Sequence, residues 1–267
     1  MSRLPHRSIK SLYPLALAEG EGVGTAYEYF AKRLALSRWL PPSFHPRRLL
    51  IAGLPQKYGL SFDFWLLAAE WGATLTVADE RPAALQKAQA ALHKAQEKEL
   101  LPAFSPIFTL ITDWSQPTEL AGNFDFILSS ELLQRLPPAA RRPYVRHLQA
   151  LAPALAFFCP NAANPNHTNL SGLTGLTLTE LSALNQEAAW QTTTGYIDMP
   201  PFPPGVVRSE TQRTQASSGW LEAAAMWGLG WYARLEWWMP ASIRRTHSHI
   251  VYSFMYNNRL QNSSRLL

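Results

Sequence analysis

Val23, Tyr27, Phe30 and Leu34 recur at spacings of four, three and four with Glu28, Lys32 and Arg33 between them, which predicts a helix over 23–40. Pro41 and Pro42 stop it. The run Arg48-Leu49-Leu50-Ile51-Ala52-Gly53 is short, apolar and ends in glycine, as a strand buried on both faces would be. Leu60, Phe64, Leu67, Ala68 and Trp71 then share one helical face, Gly72 supplies a C-terminal stop, and Thr74 to Ala78 reads as the next strand. This is a βαβ unit, whose crossover implies parallel strands in a right-handed connection.

The alternation continues. Pro82 opens a helix whose Leu85, Ala88, Leu92 and Ala95 share a face, and strands follow at 107–111, 124–128 and 154–159. A helical stretch over 138–151 is expected to be less regular because of Pro143. Beyond Asn161 come a loop rich in Asn, Pro and Thr, a capped helix from near Thr177 or Thr179, and a sixth strand over 195–199. A proline-rich turn over 200–205, an aromatic helical region over 217–238 and an alternating final strand over 249–256 complete the pattern. The expectation is an α/β fold built on a doubly wound, mostly parallel sheet. With no solenoid repeat and no Gly/Ser-rich linker, the domain spans 46–258, preceded by a helical extension over 1–45 and followed by a loose tail over 259–267.

Composition narrows the class. Hydrophobic residues make up 47% and charged residues 16% of 267, enough for one large core and against wholesale disorder. A net charge of +5 is modest, and with no zinc-finger or aromatic ribonucleoprotein motif beside it, nucleic acid is a disfavoured partner. Cys159 stands alone, which excludes an internal disulfide and any zinc site built on several thiolates, and fits a reducing, cytoplasmic setting. The apolar run from Tyr13 to Ala18 is too short and proline-interrupted for a signal peptide, and no run approaches the ~20 apolar residues of a membrane span.

Candidate chemistry collects where the parallel strands end, since open α/β sheets bind ligands beyond their carboxyl edges. Gly53 closes the first strand and Gly59 begins the first crossover helix, so backbone amides there can face a polar ligand with no Cβ in the way. Asp79 closes the second strand, where a carboxylate can accept from both hydroxyls of a ribose. Asp113 with Trp114 follows the third strand and offers a carboxylate and an aromatic face to an adenine; Ser129 and Ser130 follow the fourth, and Asn161 the fifth. Tight turns and helix caps would use the same glycines and aspartates.

The sequence Leu49 to Gly53, then Thr76-Val77-Ala78-Asp79-Glu80-Arg81-Pro82, then Asp113, then Phe124 through Pro137 resembles class I S-adenosylmethionine-dependent methyltransferases, over about residues 47 to 256. The resemblance implies a Rossmann-like seven-stranded sheet with an antiparallel final strand, and S-adenosylmethionine as cofactor. It assigns Gly53 to the methionine-binding loop, with Pro55 and Gly59 on the same loop. Asp79 becomes the ribose-binding acid with Glu80 beside it, Asp113 and Trp114 the adenine side, and Ser129 a neighbour of the methionine moiety. The loop departs from the family pattern: Ile51 stands where an acid is usual, Pro55 where a second glycine is usual, and the loop is long. An acid from the N-terminal segment, Glu19, Glu21 or Glu28, is a candidate replacement.

Methyl transfer asks for positioning, and for a base only when the acceptor must lose a proton. His167, in the loop beyond the fifth strand, is the candidate base, with Glu131 and Asp198 behind it, and no grouping has metal-site spacing. The acceptor expected is a small or lipid-like molecule; the alternative is a non-catalytic binding protein of the same fold. Five of ten tryptophans lie in 220–238, a stretch that could be a lid on the acceptor pocket, a peripheral membrane-surface helix ending in Arg244 and Arg245, or core; packing in a core or lid is the favoured reading, because Trp231, Leu235 and Trp238 fall on one side at helical spacing.

Overall fold

The computed structural model describes residues 7–56, 59–120, 122–185, 188–201 and 220–257. The tail expected over 259–267 and the proline-rich turn beyond residue 201 lie outside them. Seven strands form one sheet in the order β3-β2-β1-β4-β5-β7-β6. They are β1 Arg48–Ala52, β2 Thr74–Asp79, β3 Ile107–Leu110, β4 Phe126–Ser130, β5 Ala154–Pro160, β6 Trp190–Ile197 and β7 Ile250–Asn257. β7 runs antiparallel to both β5 and β6, and the other pairs are parallel, as expected. The carboxyl ends of β1 to β6 and the start of β7 therefore share one edge.

The helices are α1 Ile9–Ala18, α2 Val23–Trp39, α3 Phe62–Trp71, α4 Pro82–Glu97, α5 Pro138–Leu151, α6 Pro165–Ser171, α7 Leu178–Ser182, α8 Trp220–Leu235 and α9 Ala241–His247, with a 3-10 turn at Glu236–Trp238. α1 to α4 and α8 contribute to the core on one face of the sheet, and α5 and α7 to the core on the other. α4 and α5 each begin with proline, whose missing N–H costs nothing in a first turn. Thr177 and Glu180 form a capping box on α7, as the sequence predicts. α5 runs continuously through Pro143, its sixth residue, although the proline removes one bond from the helix ladder. The N-terminal extension belongs to the main core: Leu12, Ala16, Tyr27, Phe30 and Leu36 are buried with β1 and β4 side chains.

One expectation is corrected. Trp231, Leu235 and Trp238 do share a side, but that side faces outward: they are 53%, 54% and 84% exposed. α8 instead buries Met226 and Ala233 against the α1–α2 side of the core. Trp220 and Trp227 are exposed as well, so α8 presents an aromatic outer face. No helix among the described residues is long and apolar enough to cross a membrane.

Candidate functional site

The register Ala52↔Ala78 brings the ends of β1 and β2 level. Gly53 follows with φ of +84°, its N–H donating to Ala78 O at 2.8 Å, and the next amide, Leu54 N, donates to Asp79 Oδ2 at 2.6 Å. Asp79 is fully buried. Arg81 folds back on it, Nε to Oδ1 at 2.7 Å and Nη2 to Oδ2 at 2.9 Å, while Arg135 Nη2 approaches Oδ2 at 3.3 Å. Burial works against ionisation, but the Arg81 hydrogen bonds, the Leu54 amide and Arg135 outweigh it and hold the carboxyl below its ordinary pKa.

Glu80 Oε2 accepts from Arg135 Nη2 at 3.0 Å and from Trp114 Nε1 at 2.7 Å. Trp114 is buried edge-on against Tyr144, whose hydroxyl shares a 3.2 Å hydrogen bond with Ser129. Five of the expected residues, Gly53, Asp79, Glu80, Trp114 and Ser129, are thus linked around the tips of β1, β2 and β4, and Pro55 O lies 3.4 Å from Arg81 Nη2. Asp113 stands apart from these bonds: it is exposed and accepts from Ser115 N and Oγ, which lowers its pKa.

The two glycines make room for side chains of this chain. A Cβ on Gly53 would lie 2.8 Å from Leu132 Cβ, and one on Gly59 (φ +66°) would meet the Glu19 carboxylate. The extension reaches the loop here. Glu21 accepts from Gly59 N at 3.2 Å, and Glu19 accepts from Leu60 N, from Phe62 N at 2.9 Å and from the Tyr29 hydroxyl at 2.5 Å. Ser61 at the start of α3 makes no side-chain cap, and Glu19 takes the orphan Phe62 amide of that helix start. Burial outweighs these hydrogen bonds and pushes Glu19 up to about 8.

A second group gathers where β4, β5 and β6 end and β7 begins, around a cavity of about 30 Å³ touched by Glu28, Glu131, Cys159, His167, Asp198 and His249. Lys32 of α2 is buried beside it, with Nζ 2.6 Å from Glu28, 3.2 Å from Ser130 Oγ, and over the rings of Phe64 and Phe158. Burial would lower its pKa, but the Glu28 and Asp63 charges raise it further, so the ammonium stays charged. Glu131, pushed up to about 7 by burial, accepts from Gln56 N at 2.9 Å and so ties the β4 tip to the loop after β1. The Cys159 thiol is raised by burial and carries no reactive thiolate.

Asp198 and His249 meet because Ile197 pairs with Ile250: His249 N donates to Asp198 O at 2.7 Å, and its Nδ1 lies 3.2 Å from Asp198 Oδ2. The His167 ring stacks on His249 at 4.2 Å and 14°. Burial and the neighbouring His249 lower His167 to about 4. For His249 burial also lowers the pKa, but the Asp198 hydrogen bond and charge prevail and raise it. Three of the four described non-glycine residues with left-handed backbone, Ser61, Glu131 and Asp198, lie on this edge, so local strain is held where the loops converge.

Sequence reasoning missed His249, Arg81, Arg135 and Lys32 as members of these clusters. Only His249 carried a usable signal, a titratable residue at the mouth of the last strand. A separate cavity of about 460 Å³ lies among Thr177, Leu178, Tyr196, Ser242 and Arg245. No group of three or more metal-ligating side chains suited to an ion occurs among the described residues.

No protein-family model matches the chain, and no curated protein matches it in sequence. Solved structures do. The plantazolicin methyltransferase BamL, crystallised with a triazolic desmethylPZN analogue and SAH, aligns over 93% of this chain and 85% of its own at 11% identity, TM-score 0.51. The methyltransferase domain of bacterial CtHen1-CN aligns over 88% of this chain and 99% of its own at 11% identity, TM-score 0.52. At such identity the likeness is one of architecture, and it joins the strand order and the antiparallel β7 in one conclusion: this chain has the class I methyltransferase fold.

Proposed function

We propose that the chain transfers a methyl group from S-adenosylmethionine to a small acceptor. The observation that carries this reading is Asp79: a buried, ionised carboxylate at the tip of β2, beside the positive-φ turn at Gly53, in a fold shared with enzymes of that chemistry. The ribose end of the donor fits these residues by exchange. Arg81, whose side chain is 31% exposed, satisfies Asp79 with N–H donors, and two ribose hydroxyls are donors of the same kind. Leu54 N and Arg135 would keep Asp79 ionised when Arg81 turns outward. Glu80, Asp113 and Trp114 would line the adenine side and Ser129 the methionine side.

At the methionine end the loop after β1 lacks its usual acid, and the extension brings acids instead: Glu19 and Glu21 sit on the loop amides, while Glu28 faces the β4–β5 cavity. Glu28 is therefore the one of the three free of the loop, and it already holds one ammonium, that of Lys32 at 2.6 Å, which the ammonium of the donor would share or displace. The donor supplies an electrophilic methyl group; what this chain supplies is orientation and exclusion of water.

A lipid-like acceptor, or one presented at a lipid surface, draws support from the outer face of α8. Trp220, Trp227 and Trp231 are exposed there, with Trp238 exposed on the following 3-10 turn, and Arg38 and Arg244 lie over the ring of Trp237 at the same end of the helix, a pairing suited to an anionic interface.

Calorimetric titration with S-adenosylmethionine and S-adenosylhomocysteine tests the reading, with Asp79→Asn alongside. The expected result is micromolar binding that the variant loses. A folded wild-type protein that binds neither would favour a non-catalytic binding protein, the reading supported by the Leu132 side chain over Gly53 and by the occupied loop amides.

A further inference from the structure

We propose that His249, oriented by Asp198, is the base that accepts the proton of a hydroxyl acceptor delivered to the cavity between the β4 and β5 tips. This rests on the methyltransferase reading above and specifies its acceptor class. The geometry is that of an acid–imidazole pair. His249 lines the cavity, its Nδ1 is committed to Asp198 Oδ2, and its Nε2 has no hydrogen-bond partner among the described residues. In the neutral ring this arrangement favours the tautomer with the proton on Nδ1 and leaves Nε2 as the acceptor. Asp198 is buried and its Oδ1 has no hydrogen-bond partner; burial raises its pKa, against the lowering pull of His249 and Lys32.

His167 covers the other face of the ring. It is held neutral by burial and by His249, which makes it a shield and a poor base. The remaining charges facing the pair come from Glu28 and Lys32 on α2 and Glu236 on the 3-10 turn, with Glu131 at the β4 tip. Glu28 and Glu236 favour a protonated His249, so an imidazolium formed by proton uptake is stabilised from three sides, Asp198 included.

The acceptor class follows from what needs a base. A neutral amine attacks a sulfonium before losing a proton and a thiol ionises near neutral pH unaided, whereas a phenol with pKa near ~10 needs help. The cavity of about 30 Å³ has room for a hydroxyl-sized group and not for a whole acceptor. In the transfer the acceptor oxygen bonds to the methyl carbon as the C–S bond breaks with its electron pair going to sulfur. The hydroxyl proton moves to His249 Nε2, Asp198 keeps Nδ1 in place, and the proton is later released to solvent.

Two measurements on the whole 267-residue chain test this. Side-chain NMR titration of wild type and Asp198→Asn should show His249 protonating above the ordinary histidine range, with proton affinity falling at least about tenfold in the variant; no fall overturns the pairing. Transfer from tritiated S-adenosylmethionine to a panel of small phenols and matching thiols then compares wild type with His249→Gln. Phenol methylation should fall about 100-fold or more and thiol methylation less than about threefold, with S-adenosylhomocysteine affinity unchanged by calorimetry. Equal losses on both panels, no loss on either, or a wild type that binds S-adenosylhomocysteine and methylates no phenol would each overturn the assignment. Failure of wild type to bind S-adenosylhomocysteine overturns the methyltransferase reading itself and this base with it, and calorimetry reports that separately.

Discussion

If a ribose takes the place of Arg81 on Asp79, then removing Arg81 should tighten binding. Arg81 makes two side-chain contacts with the carboxylate, at 2.7 and 2.9 Å, from a position 31% exposed. Exposed pairs contribute about 0–1 kcal/mol and breaking a buried one costs about 3–5 kcal/mol; a half-open pair on a fully buried carboxylate lies between, at roughly 1.5 kcal/mol. Binding of the donor must give up that energy in the wild type and not in Arg81→Ala. The variant should therefore bind S-adenosylhomocysteine roughly tenfold more tightly. The same energy is lost from the ligand-free fold, so its melting temperature should drop by about 3–6 °C. Arg135 Nη2 and Leu54 N remain to keep Asp79 ionised. Isothermal calorimetry on both proteins at one ionic strength measures the difference. An unchanged or weaker affinity in Arg81→Ala, with the protein folded, refutes the exchange and means that Arg81 is part of the site and no competitor for it.

Three other expectations are independent of the donor. Asp63 is fully buried, neither oxygen has a hydrogen-bond partner, and burial, against the Lys32 and Arg33 charges, pushes its pKa up to about 7. A carboxyl raised above its unfolded pKa contributes stability that is full below that value and is lost as pH rises through the folded one, so between about pH 5 and pH 8 the wild type should lose roughly 2–3 kcal/mol that Asp63→Leu keeps; parallel urea curves for the two would refute this. Gly53→Ala combines a left-handed φ with a 2.8 Å approach to Leu132 Cβ and should cost about 2–4 kcal/mol in urea unfolding. Trp227→Ala with Trp231→Ala removes exposed side chains, so it should change stability by less than about 1 kcal/mol while weakening cosedimentation with anionic phospholipid vesicles; a wild type that does not cosediment removes the lipid surface from the proposal.

The central strands were legible because both of their faces are buried: β1, β4 and β5 have nothing to alternate with, and their apolar runs stand out between proline and glycine. β6 was predicted to begin at residue 195 but begins at Trp190, because it is an edge strand whose Gln191, Thr192 and Thr193 face solvent and carry no apolar signal. α1 was hidden by Pro14, which the helix accommodates inside its length. The α8 error has a different origin. Periodicity says which residues share a face and is silent on whether the face looks inward, so three large apolar side chains on one side read as core.

The same distinction divides the site. Asp79 and Gly53 were legible because each ends a strand, and strand ends in a parallel sheet fall on one edge whatever else the chain does. The pairing of Asp198 with His249 needed the strand order β5-β7-β6 as well, since only antiparallel β6 and β7 bring the end of one against the beginning of the other. Arg81 and Arg135 needed more still: their side chains converge on one carboxylate from positions separated by the whole β3–β4 stretch, and long flexible cations leave no periodic trace of where they end. A binding edge is therefore read from where strands stop, while the charges that tune it are read only from the folded side chains, and the Arg81 and His249 variants test that second layer without disturbing the first.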